Sequence, residues 1–371
     1  MRPWLKALGL LLLATVAYLA FWPVPIDPEA WQPPTNAGYR GPHAANTRLA
    51  PLRRVSIAPD IGPEHFEVGP DGAVYTGVLS GAILRIDPVT LAVQRYADTG
   101  GRPLGIAFAP DGGMLVADAL RGLLAVHADG STEVLADRVG SDPIRFADAV
   151  AVGANGDVYF TDASRRFPAR EWGTFDAALI DLLEHSCTGR VLRYVPATAE
   201  VRVVIGDLCF PNGVAVASDQ RHLFIAETGV YQVWKVLAAA EGLSANEHRG
   251  EAASDEARVI LANLPGYPDN LTLGADGRLW TGLTKPRSAL LDRLSGWPAL
   301  RAVTLRLPKA LWPVPPAYGH VLAFDESGRV VADLQDPAGG LEETSGATEA
   351  GGRLFVHSLH APAFGVLDAI P

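Results

Sequence analysis

Cysteine is nearly absent: Cys187 and Cys209 are the only two in 371 residues. Two thiols without histidines at matching spacing argue against a zinc site. A basic stripe is also missing. The formal net charge is −10, which removes nucleic acid from the expected partners. Long apolar runs are absent too, with one exception, "ALGLLLLATVAYLAFW" from Ala7 to Trp22. Arg2 and Lys6 precede it, so the short N-terminus is expected to stay cytoplasmic and the rest of the chain to lie on the periplasmic or extracytoplasmic side. A cleaved signal peptide and an uncleaved transmembrane anchor both fit residues 1–22. The run is slightly short for a span. No clean A-x-A site follows it, however, and Phe21-Trp22 match an interfacial aromatic belt, which favours the anchor. Residues 23–54 lack apolar periodicity and are rich in proline. They read as a semi-rigid tether or as an extended arm packed on the domain.

What remains, residues 55–371, is built from a repeat. Hydrophobic residues make up 48% of the chain, and 38 Gly and 29 Pro are spread along it, which suits many turns. "FEVGPDGAVYTG", "IAFAPDGGMLVAD", "VAVGANGDVYFTD", "VAVASDQRHLFIAE" and "LTLGADGRLWTG" start at Phe66, Ile106, Val150, Val214 and Leu271, and a weaker sixth copy, "GATEAGGRLFVHS", starts at Gly346. Each is an alternating strand, a tight turn and a second strand. A further hairpin follows several copies, so the unit has four strands over about 40–60 residues, the size of a propeller blade. The expected fold is all-β, a six-bladed β-propeller behind an N-terminal transmembrane helix; a β-sandwich would not need six near-copies. In the last copy the outer hairpin, 320–334, is expected to precede the inner one, 344–359, as when the two ends of the chain close the ring. The insert 165–186 breaks the strand pattern, and "FDAALIDLLEH" has helical spacing, for a lid or for a packing helix.

Seven residues before each turn stand Glu64, Leu104, Asp148, Asn212, Asp269 and Thr344. Equal spacing puts all six at the entry of an innermost strand, the rim of the central channel. Four of them carry side-chain oxygen. Three carboxylates and an amide converging on one axis would repel one another if left bare. A hard divalent cation resolves this, and all-oxygen ligation suits Ca²⁺, with Mg²⁺ or Mn²⁺ as alternatives. The competing reading is that they are hydrogen-bonding strand caps.

"PIRFADAVAVGANGDVYFTDASRRF", "GRVLRYVPATAEVRVVIGDLCFPNGVAVASD" and "LPGYPDNLTLGADGRLWTG" closely resemble the strictosidine synthase-like family, including its membrane-anchored adipocyte plasma membrane-associated branch. The paraoxonases, regucalcin and the gluconolactonases are more distant relatives by the same ring. The resemblance covers most of residues 55–371. It implies a six-bladed propeller with a metal in its channel and, in several of these families, hydrolysis of lactones or aryl esters. It carries the metal-ligand role onto Glu64, Asn212 and Asp269, keeps an oxygen at Asp148, and adds Asn270 as in the paraoxonases. There are departures. Ala149 replaces a frequent acid, and Leu104 stands where the paraoxonases have a catalytic histidine. Thr344-Ser345 occupies the register of the strictosidine synthase glutamate, with Glu342 and Glu343 close but not aligned.

The chemistry expected is metal-assisted hydrolysis of a small-molecule ester or lactone, with Asp148 or Asp269 activating water. Carboxylates that bind metal make poor bases, so His65, His320, His357 and His360 are further candidates; His65 should point away from Glu64 by strand alternation. The alternatives are a non-catalytic ligand- or protein-binding propeller with a structural metal and, least supported, a strictosidine synthase-type condensing enzyme. Cys187 and Cys209 flank the hairpin centred near Thr198 at eleven residues on either side. They would face each other across an antiparallel pair, and an oxidising compartment would permit a disulfide.

Overall fold

A computed structural model describes residues 2–249 and 254–371. The glycine turns act as their chemistry allows. Gly72, Gly112 and Gly156 lie at φ 76°, 88° and 85°, a region glycine enters without steric cost. The turn containing Gly72 joins the antiparallel pair Phe66–Val68 and Val74–Gly77, and the one containing Gly112 joins Pro103–Phe108 and Met114–Asp118. Gly156 does the same for Ala147–Val152 and Val158–Asp162. The remaining inner pairs are Pro211–Val216 with His222–Glu227, Gly266–Leu273 with Leu279–Pro286, and Ala347–Ala350 with Arg353–Val356. Each pair is the inner half of a sheet of at least four strands, and each innermost strand touches the innermost strand of the next blade all round the ring. The protein is a six-bladed β-propeller. Its core lies between blades, where side chains such as Trp234, Trp280, Phe224 and Phe355 are fully buried; each large apolar side chain so buried stabilises by roughly 1.5–3 kcal/mol.

The two ends of the chain close the ring together as expected, but one hairpin falls in a different blade. The hairpin 320–334 is not the outer half of the last blade. Gly319–Phe324 pairs with Leu279–Pro286, so it completes the fifth blade. The last blade takes its outermost strand from the start of the domain, where Arg53–Ser56 pairs with Ala363–Leu367. Alternation and turn residues identify a hairpin, but they do not say which of two flanking pairs it joins.

The N-terminal helix Pro3–Phe21 has no buried residue and is long and apolar enough to cross a membrane. At 1.5 Å per residue it spans about 28 Å. Cys187 and Cys209 are joined by a disulfide. Such a helix together with a disulfide is typical of membrane-anchored or secreted proteins.

Between helix and ring, residues 23–54 run along the propeller, with Ile26 and Leu49 buried. The backbone N–H of Asp27 donates to the Glu184 carboxylate at 2.8 Å. Further on, one oxygen of Asp333 meets His43 Nδ1 at 2.8 Å and His320 Nε2 at 3.0 Å. Burial raises the Asp333 pKa, but the hydrogen bonds from His320 and His43 outweigh it and hold the carboxyl well below the usual range. Asp333→Asn is therefore expected to destabilise by about 2–3 kcal/mol near neutrality, somewhat less than a fully buried broken pair. Limited proteolysis should then cleave faster between residues 36 and 48. A folded pKa below the unfolded one contributes stability above about pH 4 that is lost as the pH falls. The gap between wild type and variant should accordingly narrow as the pH falls below 4; a gap of the same size at pH 5 and pH 2 would refute the assignment.

Candidate metal centre and pocket

The four oxygen-bearing rim residues predicted from spacing meet in one cavity. Glu64, Asp148, Asn212 and Asp269 all line it, and none is more than 4% exposed. Leu104 lines it as well. The reason is local. The ladder slips register between Pro103 and Gly105, between Ala147 and Val150, between Pro211 and Val214, and between Pro268 and Leu271. An irregularity of this kind re-aims a side chain that plain alternation would send into the sheet face. Close approach of neighbouring strands brings the positions together: a Cβ on Gly213 would lie 2.3 Å from the Leu271 nitrogen, and one on Gly105 would lie 2.7 Å from Ala149 Cα.

Among the described residues, only four buried side-chain oxygens lack a hydrogen-bond partner: Glu64 Oε2, Asp148 Oδ1, Asn212 Oδ1 and Asp269 Oδ1. An orphaned buried acceptor costs about 1–3 kcal/mol, and more if it is charged. Burial raises the pKa of Glu64, opposed by Arg102. Burial and then the Glu64 charge raise Asp148. Burial, then Glu64 and Asp148, raise Asp269. Among the described residues lining the cavity, Lys285 pairs with Glu343, and Arg102 lies 3.6 Å from Glu64 Oε2, an ion-pair distance too long for a hydrogen bond. Three carboxylates against one guanidinium leave two negative charges, the charge a divalent cation carries. Glu64, Asp148 and Asp269 do not bring one carboxylate oxygen each within 4.8 Å of one another, whereas a ring nitrogen of His43, one of His320 and an oxygen of Asp333 do lie that close. Around Ca²⁺, with oxygens at about 2.3–2.6 Å, opposed ligands stand up to about 5 Å apart, so this spacing does not conflict with the ion.

A supporting layer holds the rim. Ser345 Oγ and Asn270 Nδ2 both donate to the Glu64 carbonyl, at 2.6 and 3.0 Å. Thr161 Oγ1 donates to the Asn212 carbonyl at 2.9 Å, and Thr228 Oγ1 donates to that of Pro268 at 2.7 Å. Asn270 thus sits behind the rim, with its amide nitrogen on the backbone of Glu64. Thr344 does not line the cavity; its hydroxyl bonds the backbone of His320 at 2.9 Å.

Of the four candidate histidines, one reaches the cavity. His65 and His357 pack edge to face at 5.9 Å between the first and last blades. Burial pushes His65 down to about 4 and lowers His357 as well, so both are neutral core side chains. His320 belongs to the Asp333 cluster. His360 lines the cavity, with Nδ1 2.5 Å from Glu343 Oε2, and Lys285 Nζ lies 3.2 Å from the other Glu343 oxygen. Burial raises the Glu343 pKa, but the hydrogen bond from His360 and the charges of His360 and Lys285 bring it below the ordinary value. Glu343 sits at φ 52°, a left-handed conformation that costs a non-glycine residue on the order of 1 kcal/mol. Sequence spacing missed this pair because its members lie in separate loops. It also missed Arg102, which carries no motif.

The rest of the cavity is apolar. Leu104, Phe146 and Phe210 line it, as do Phe175, Leu179 and Leu182 of the helix Thr174–Glu184. The disulfide fastens the segment just after this helix to the strand entry that carries Asn212. Inside the helix, burial pushes Asp181 up to about 7, although Ser164 and Ser186 donate to it at 2.5 and 3.2 Å. A carboxyl with a raised folded pKa contributes stability below about pH 4 and loses it as the pH rises through 7. Asp181→Asn should therefore be more stable than wild type at pH 8, by about 2–4 kcal/mol, and should match wild type at pH 4. A variant less stable at pH 8 would show that Asp181 is wanted ionised.

Comparison with known proteins agrees with this architecture. The strictosidine synthase family model matches residues 148–241, and the strictosidine synthase-like N-terminal model matches residues 41–86. Strictosidine synthase-like protein 6 of Arabidopsis thaliana is 32% identical over 294 residues, covering 78% of this chain and 73% of that protein. Strictosidine synthase-like protein 7 of the same plant is 34% identical, over 70% of this chain and 63% of its own length. The adipocyte plasma membrane-associated protein of Danio rerio is 29% identical over 98% of this chain and 89% of that protein. Among solved structures, a gluconolactonase from Xanthomonas campestris superposes with a TM-score of 0.59 at 17% identity, covering 94% of this chain and 97% of that one. A calcium-binding regucalcin from Agrobacterium tumefaciens gives 0.55 at 15%, covering 85% and 91%. At these identities the two structures speak for the fold alone.

Proposed function

The chain belongs to the strictosidine synthase-like family, and from that premise we propose that it is a metal-dependent hydrolase of esters or lactones, its propeller on the extracytoplasmic side of a membrane. The observation that carries this reading is the set of four orphaned oxygens, from Glu64, Asp148, Asn212 and Asp269, in the lining of a largely apolar cavity. Hard oxygen donors with two uncompensated negative charges fit a divalent cation, and Ca²⁺ best among them. Glu64, Asp148, Asn212 and Asp269 would hold it, and Asn270 keeps a side-chain oxygen that could complete the set. When bound, such an ion polarises a substrate carbonyl and stabilises the negative charge that develops on it.

The other steps fall to the chain itself. In the neutral tautomer protonated at Nδ1, His360 donates to the Glu343 carboxylate and keeps Nε2 as a free acceptor. His360 is thereby the better base for taking a proton from water, and Asp148 and Asp269 are left to ligation. Arg102 offsets one of the three negative charges. The apolar walls exclude bulk water and favour substrates with sizeable apolar groups.

The test is turnover of phenyl acetate and a panel of lactones by the full chain in detergent, with and without chelator. Turnover lost to chelator and restored by Ca²⁺ is the expected result. A tightly held ion with no turnover would make the protein a binding module. One observation favours a second reading: Glu343 reaches the pocket one residue before the register of the strictosidine synthase glutamate. Adduct formation from an arylethylamine and an aldehyde, followed by mass spectrometry, would support that reading instead.

A further inference from the structure

Most of the exposed large apolar side chains of the propeller are gathered on one face. Beyond the N-terminal helix, every exposed aromatic among the described residues lies on the inserts that surround the pocket, and none lies on a blade. Trp297 is 65% exposed, Leu311 64%, Leu290 51%, Leu300 49%, Val314 46% and Phe175 40%. Phe175 and Val314 line the pocket itself. The others belong to the short helices Ala289–Leu294 and Pro298–Thr304 and the segment that follows. These helices touch each other, the second touches Thr174–Glu184, and Lys309 Nζ pairs with Asp176 at 2.8 Å, so the inserts form one cap. An apolar face of this kind on a soluble domain marks a partner.

The partner can be identified by where the N-terminal helix ends. Arg306, just beyond the second short helix, donates to the carbonyls of Trp22 at 2.6 Å and Leu19 at 3.0 Å. The membrane-end of the helix is therefore fastened to the cap. From there the chain stays on the cap: Trp31 N–H donates to the Ser295 carbonyl at 3.2 Å, and Arg287 donates to that of Pro34 at 2.7 Å. Charge agrees with position. Of the charged side chains in residues 285–312, the exposed ones are Arg293 and Lys309, both basic, while the single acid, Asp292, is paired with the buried Arg287. Tryptophan and leucine interspersed with basic residues are the composition of a surface lying in a lipid headgroup layer.

We propose that this capped face rests on the phospholipid bilayer that the N-terminal helix enters, with Trp297, Leu300 and Leu311 dipping into the headgroup region and the pocket mouth opening onto lipid. The contact does not depend on the pocket's chemistry. It puts the pocket within reach of molecules that partition into lipid rather than of those dissolved in water.

The test uses the full chain reconstituted into phosphatidylcholine–phosphatidylglycerol vesicles, with or without bromine atoms on the acyl chains near the headgroups. The emission of Trp297, taken as wild type minus Trp297→Phe, should fall at least about twofold in brominated vesicles, because interfacial side chains reach about 5–10 Å into the boundary. Leu311→Trp should add emission that bromine quenches. Val331→Trp, near the opposite end of the fifth blade, should add emission that bromine leaves untouched. Trp297 emission indifferent to bromine, as when a second copy of the chain covers the face, overturns the proposal. So does equal quenching at residues 311 and 331.

Discussion

Asp269→Ala is expected to empty the channel of its ion and to lower ester turnover by at least about a thousandfold, the scale on which charge stabilisation at a reacting carbonyl contributes. Elemental analysis should find about one divalent ion per wild-type chain and almost none in the variant. Stability should move in the opposite sense when the ion is withheld. Asp269 is a buried carboxylate raised by burial and by its neighbours Glu64 and Asp148, so without a cation it opposes folding. In chelator the variant should therefore melt above wild type, and in Ca²⁺ below it, each by on the order of 1–3 kcal/mol. The crossing of the two melting curves is the decisive reading. A variant less stable under both conditions would mean that Asp269 is a structural cap and that no ion sits there.

His360→Gln is expected to lower kcat by about 10²–10⁴ while leaving KM and the bound ion nearly unchanged, because proton transfer is what it removes. Glu343→Gln should cost less, about tenfold, since the imidazole loses its orienting acceptor but keeps its reactive nitrogen. An ordering in which Glu343→Gln costs more than His360→Gln would shift the chemistry to the carboxylate and support condensation over hydrolysis. A loss of ion in His360→Gln would assign the histidine to ligation.

How much of this was legible beforehand follows from which constraints are local. The hairpins announced themselves because each depends on a turn residue and on alternation within a dozen positions. The four rim oxygens could be read because every blade repeats the same offset between its turn and its entry. The wrong assignment of 320–334 arose because pairing between hairpins is decided by neighbours far away in the chain. Arg102 escaped for a related reason, and Glu343 and His360, though both named from the sequence, could not be read as a pair. They reach the cavity from loops outside the repeat, so no spacing marks them. His360 looked no different in sequence from His65 and His357, and burial alone separates a core imidazole from one that lines a cavity. The cap was read as a helix with two uses, and the side chains of Phe175, Leu179 and Leu182 are what set it over the pocket.

The strand Arg53–Ser56 has a consequence for biogenesis. It comes first in sequence among the described propeller strands, yet its partner in the sheet is Ala363–Leu367, more than 300 residues later. Until that segment arrives, the opening strand is an unpaired edge, and edges of this kind invite aggregation. A variant lacking residues 363–367 would leave Arg53–Ser56 with nothing to join it to the last blade, and the circle would stand open at that seam.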